Sequence, residues 1–186
     1  MTPVDENWLK RYYFLRAAVS IAWVAAAFAV GLHDATIAGL LLLAYPAWDA
    51  IANWIDGARS GGLARNRTQQ VNVVASAAAA VGVALALGSG MGAVIGVIGL
   101  WAIASGLLQL GTAVRRWKTH GAQWVMILSG AQSALAGGLF VAQSRMPTPP
   151  TIANIAGYAG VGAVYFLISG IWLSVAQRRR AKQQAA

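Results

Sequence analysis

The sequence predicts an all-α polytopic membrane protein, with six transmembrane helices arranged as three repeated helical hairpins. Three observations carry this. Hydrophobic residues make up 58% of the 186-residue chain and charged residues only 10%, where a soluble domain carries about 25% charged residues. The apolar residues fall into six runs, each near the roughly 20 residues that cross a bilayer. The polar links between the runs are short, so residues 1–186 read as a single integral membrane domain with no soluble module.

The elements follow in order. The first span covers about Tyr12–Leu32, with Arg16 about one turn inside its polar end. Its apolar part is long and a second apolar run follows directly after His33–Asp34, so it reads as a retained helix and not as a cleaved signal. The second span covers about Ala35–Ala58, with Pro46 near its middle as an expected kink. The link Arg59–Gln70 is polar and contains glycine. The third span covers about Val71–Leu87, and Gly88-Ser89-Gly90 marks a tight turn. The fourth covers about Met91–Val114, followed by the polar link Arg115–Gly121. The fifth covers about Ala122–Ala142, followed by the proline-rich turn Ser144–Pro150. The sixth covers about Ile152–Val175, leaving a basic tail at 176–186. The hairpins are therefore 12–58, 71–114 and 122–175.

Charge placement predicts orientation. Of 14 Lys and Arg residues only Arg145 lies in one of the three tight turns. The others sit at the N-terminal end, in the two polar links or in the tail. Short loops rich in Lys and Arg stay cytoplasmic. Both termini are therefore expected inside. The net charge of +9 is thus spread through interfacial links, where it would attract anionic lipid headgroups, and does not form the single basic face that nucleic acid requires. With no cysteine there is no disulfide, thiolate metal site or cysteine nucleophile. His33 and His120 fall on opposite sides of the bilayer, so no metal site or catalytic triad uses both. No phosphate loop or metal-binding helix motif is present. No catalytic residue and no cofactor is expected.

One stretch stands apart. Tyr45–Ala58 (YPAWDAIANWIDGA) carries Asp49, Asn53 and Asp56 at helical spacings of four and three, which puts them on one face. An ionised carboxylate at the bilayer centre costs about 2.5–3.5 kcal/mol on the insertion scale, so this face must meet protein or water. Reflecting the first span onto the second about His33–Asp34 sets Arg16 level with about Ile51, between Asp49 and Asn53. Two readings are open. Arg16, Asp49, Asn53 and Asp56 form a structural ion-pair stripe that fixes the first hairpin, or they line a proton- or ion-linked transport path. Ser105, Gln109, Gln132 and Asn154 are secondary polar positions, read as hydrogen bonds between helices. Gly92, Gly96, Gly106, Gly130, Gly137 and Gly170 are read as close-packing positions, within the chain first and in a homo-oligomer second.

An internal repeat runs through the even spans. Trp48, Trp101 and Tyr165 each precede, by five positions, Asn53, Gly106 and Gly170 respectively, and a basic end follows. The pattern resembles the HdeD family of bacterial membrane proteins. Trp101, Ser105-Gly106, Arg115-Arg116, Trp124, Leu128-Ser129-Gly130 and Gly137 carry the resemblance. It departs at Ala17 and Asn53, where the family pattern has glycine. The resemblance implies a six-helix inner-membrane protein, non-enzymatic, with a role in envelope or acid-stress physiology.

Overall fold

A computed structural model describes residues 6–59, 61–116, 123–148 and 150–184. Of the predicted features, residues 1–5, most of the second polar link and the last two tail residues lie outside these. Six long helices account for nearly all of the described residues, and no strand occurs among them: α1 Glu6–Ala26, α2 Ala35–Arg59, α3 Arg67–Ala86, α4 Met91–Arg116, α5 Gln123–Gln143 and α6 Ile152–Gln184. Five helical stretches are long and apolar enough to cross a membrane: Asn7–Gly31, Ala35–Arg59, Arg67–Ser89, Met91–Gly111 and Ile152–Gln183. Large apolar side chains stay outside, among them Leu85 at 76% and Leu135 at 72% exposure, which is the surface a bundle presents to lipid and not to water.

Local chemistry sets the helix ends. Asp34 caps α2 by accepting from the backbone N–H of Thr36 at 2.8 Å and of Ile37 at 3.0 Å. Asn66 caps α3 through the N–H of Gln69 at 3.3 Å, so α3 starts at Arg67 and takes up the end of the predicted link. At the start of α6, Asn154 accepts from the Thr151 N–H at 3.0 Å and Thr151 Oγ1 from the Ala153 N–H at 3.3 Å. Gly90 enters α4 with φ +93°, a left-handed conformation that glycine adopts at no steric cost. α1 runs on into a π-helical turn at Ala27–Gly31. Pro46 lies inside a continuous α2.

α6 departs from expectation in length. It continues through the basic tail to Gln184 because QRRRAKQQ contains no glycine or proline to stop it. Its 33 residues extend about 50 Å at 1.5 Å per residue, against about 30 Å of hydrocarbon. The last turns, with Arg178, Arg179, Arg180 and Lys182 exposed, project past any such layer.

The helices are linked as three hairpins, but their closest packing runs across the hairpins. The tightest pairs are α4 with α5, α1 with α6 and α2 with α3, while α1–α2 and α5–α6 pack more sparsely. Missing side chains are the reason. A methyl group built on Gly106 would lie 2.5 Å from the Gly130 carbonyl oxygen, and one on Gly137 would lie 2.5 Å from that of Gly99. Glycines seven apart on each of two antiparallel helices thus bring the backbones of α4 and α5 together. At the other predicted packing positions, Gly92 and Gly96 admit Ser144, and Gly170 admits the Phe14 ring from α1.

The inward face differs between the two ends of the bundle. Toward the three turns it is apolar: Trp23 and Ala27 on α1, Ala38 and Leu42 on α2, Ala79 and Val83 on α3, Ile95 and Ile98 on α4, Phe140 on α5, Ile155 and Ala159 on α6, all buried in one cluster. Toward the termini it is mixed, with Arg16, Asp49, Ser76, Ser105, Gln132 and Ser169 beside the buried Ala17, Ala52, Ala113 and Ala163. Trp23, Tyr45 and Trp101 lie between the two tiers, with ring centroids 4.9 Å and 5.5 Å apart.

Gly106→Leu is expected to lower the thermal stability of detergent-solubilised protein by about 1–3 kcal/mol or more, the range for overpacking. Gly138→Leu, on the same pair of helices but with open space at its Cβ, is expected to leave the melting temperature unchanged.

Candidate functional site

The site is built around one carboxylate. Asp49 lies about 21 Å along α2 from Ala35 at 1.5 Å per residue. Its Oδ1 pairs with Arg16 Nη2 from α1. Its Oδ2 accepts from Ser76 Oγ on α3 at 2.7 Å and from Asn53 Nδ2 at 2.8 Å. Asn53 Nδ2 also donates to the Asp49 carbonyl at 2.9 Å, bracing the helix turn between them. Ser76 in turn accepts from Trp101 Nε1 on α4 at 3.0 Å. Arg16 Nη1 donates to Tyr12 Oη at 3.0 Å, and its guanidinium carbon lies 4.4 Å from the Phe166 ring centroid on α6. Five helices therefore meet around one ion pair.

The electrostatics follow. Asp49 receives a full counter-charge and two neutral donors, which is what a carboxylate needs when it is removed from water. The pair is nonetheless not sealed, for the side chains of Arg16 and Asp49 keep 13% and 15% exposure. Arg16 Nε and Trp48 Nε1 are buried donors with no partner among the described residues.

Asp56 belongs to a second centre nearer the termini. Its Oδ1 accepts from Trp8 Nε1 of α1 at 3.4 Å, and its Oδ2 accepts from Gln69 Nε2 of α3. The Arg59 guanidinium covers the Trp8 ring at 4.2 Å. The expected single stripe is thus two centres, with Asn53 on the Asp49 side. The cause is the change of neighbours along α2: one helical face meets Arg16 and Ser76 at one level and Trp8 and Gln69 two turns on.

The secondary positions divide. Gln132 on α5 accepts from Tyr165 Oη on α6 at 2.9 Å, and the neighbouring Ser133 is joined to Tyr158 Oη at 3.2 Å. Ser105 and Gln109 are half-buried on α4, on the face below Ile98 and Ala102. Asn154 acts within its own helix as a cap and does not bridge to another. Sequence reasoning missed Ser76, Gln69, Tyr12, Trp8 and Phe166. For Ser76 a signal existed: it follows Val83 and Ala79 at helical spacing on the inward face of α3.

This arrangement defines a class, a bundle of long apolar helices compatible with a multi-pass membrane protein and organised around an intramembrane-type ion pair. No family model, curated protein or solved structure matches the chain.

Removing Arg16 alone, as Arg16→Met, strands Asp49 without its counter-charge and is expected to cost about 3–5 kcal/mol. The double variant Arg16→Met/Asp49→Leu is expected to recover most of that loss. A double-mutant cycle on melting temperature checks both.

Proposed function

We propose that this chain is a six-span inner-membrane protein of the HdeD kind, without catalytic activity, in which the Arg16–Asp49 centre holds helices together and does not carry protons or ions. The observation that carries the reading is the engagement of both Asp49 oxygens. Donors from α1, α2 and α3 occupy both oxygens, and Ser76 ties in α4. A carboxylate that exchanged its proton with a passing substrate would have to surrender these bonds in each cycle.

Both termini lie in the cytoplasm in this reading, because 13 of the 14 Lys and Arg residues fall in the N-terminal end, the two polar links and the tail of the sequence. α5 supplies the sixth span. The basic end of α6 meets anionic headgroups, each cation contributing about 1 kcal/mol near the surface. Exposed Trp54, Trp124 and Trp172 sit toward the same boundary, where tryptophan is favoured. A role in envelope or acid-stress physiology rests on the sequence resemblance, and it would be exercised through the bilayer and through protein partners, a second copy among them.

The test is proton flux in proteoliposomes, comparing wild type with Asp49→Asn while the outer pH is lowered from neutral. The expected result is no flux above the lipid leak in either protein, with a lower melting temperature for Asp49→Asn. Flux in the wild type that Asp49→Asn abolishes would replace this reading with the transport one.

A further inference from the structure

The outer side of the α3–α4 pair holds a feature that the ion pair does not use. Ala75 and Ala79 on α3, with Val97, Leu100, Trp101 and Ala104 on α4, line an apolar groove of about 260 Å³. Leu100 and Ala104 are exposed at its rim. We propose that this groove seats an acyl chain of an anionic phospholipid whose headgroup lies at the Arg65–Arg67 end of the pair. The proposal rests on the membrane-spanning reading above, and not on which way the termini point.

The groove exists because one wall is alanine and the other cannot move to fill it. Trp101 is the largest lining side chain, and it is buried at 7% exposure. Its Nε1 donates to Ser76 Oγ at 3.0 Å, so the ring is held inward as the floor. Both helices belong to stretches long and apolar enough to cross a membrane. What meets an apolar groove at that level of a bilayer is hydrocarbon.

Depth and charge identify the lipid. Ala75 and Ala79 lie about 12 Å and 18 Å along α3 from Arg67, at 1.5 Å per residue. In a hydrocarbon layer of roughly 30 Å, that is where the chains of a lipid headed at Arg67 run. Arg67 opens α3, Arg65 precedes it, and both are exposed. From Gly57 onward the sequence contains no Asp or Glu. Asp56, the last acid before them, is engaged by Trp8 and Gln69. The cations at this end therefore draw an anion from the membrane surface. A second copy meets that need poorly: docked on this face about a two-fold axis, it brings its own Arg65 and Arg67 to the same end, like charge against like.

The test is a lipid titration of the full chain in mild detergent, read by native mass spectrometry, with phosphatidylglycerol and phosphatidylcholine of identical chains. Wild type is expected to take up one phosphatidylglycerol in preference to phosphatidylcholine. Ala104→Phe and Ala75→Leu fill the groove from opposite walls. Each is expected to weaken that binding about tenfold or more, the effect of displacing two chain methylenes. Arg65→Gln/Arg67→Gln, which removes two interfacial cations, is expected to weaken it about thirtyfold and to erase the headgroup preference. Ala77→Phe, exposed on α3 away from the groove, is expected to bind as wild type does. No preference in wild type, or unchanged affinity in both groove-filling variants, overturns the proposal. So does loss in the arginine variant alone, since the headgroup would then bind with no seated chain. A wild-type dimer that Ala104→Phe converts to monomer gives the groove to a second copy and also overturns it. A chain that stays in solution without detergent removes the membrane reading itself, which is a separate failure.

Discussion

The structure depends on how one charge is kept out of lipid. Asp49 sits in the middle of a helix that is otherwise fit to cross a bilayer, and an unpaired carboxylate there would be prohibitive at several kcal/mol. Arg16 carries the same liability on α1. Each cancels the other, but only while α1 and α2 are held in one register. α3 must then present Ser76 to the second oxygen, and α4 must bring Trp101 against Ser76. The pair thus fixes the relative rotation of four helices through directional bonds, which apolar packing alone does not do. Net gains from hydrogen bonds inside membranes are small, about 0.6 kcal/mol each. The centre therefore acts mainly by excluding arrangements that leave a charge unpaired.

Packing of the remaining helices uses a different device. Among the described inward residues of α4 and α5 none is charged. The two helices meet through Gly99, Gly106, Gly130 and Gly137, where backbone touches backbone and dispersion contacts accumulate over a long seam. α6 joins α1 in an intermediate way: Gly170 receives Phe14, Tyr13 stacks on Phe166 at 6.3 Å, and Lys10 Nζ donates to Gln177 Oε1 at 2.9 Å. Three close pairs, three different chemistries, and one ring of helices result. The close pairs straddle the links and the termini, so they are offset by one helix from the pairs that the tight turns join.

Much of this was legible in the chain. Six apolar runs of bilayer length give six helices, since nothing else satisfies so many backbone groups without water. The spacing of Asp49 and Asn53 named their common face, and a reflection about His33–Asp34 put Arg16 within a turn of its partner. What the spacing could not show was that Asp56, on the same face, faces other neighbours. A helix's own periodicity says which residues share a side, never what that side meets at each level. Ser76 was hidden for a related reason: α3 is alanine-rich, so its polar residue stands out only once the inward direction is known from Val83 and Ala79. Asn154 misled because a polar residue at a span's start serves either a neighbour or its own cap, and sequence alone weighs both.

The division of the interior into two tiers follows from the same constraint. If the ion pair lay at mid-bundle with apolar packing on both sides, neither charge would ever meet water, and membrane insertion would have to bury both at once. Here a second polar centre, Asp56 with Gln69 and Trp8, lies on the terminal side of Arg16 and Asp49. The end toward the turns, where no charge lies among the buried residues, closes as a wholly apolar core. Apolar packing toward the turns, together with a counter-charge and two neutral donors at Asp49, is the arrangement that lets an apolar helix carry a carboxylate at its middle.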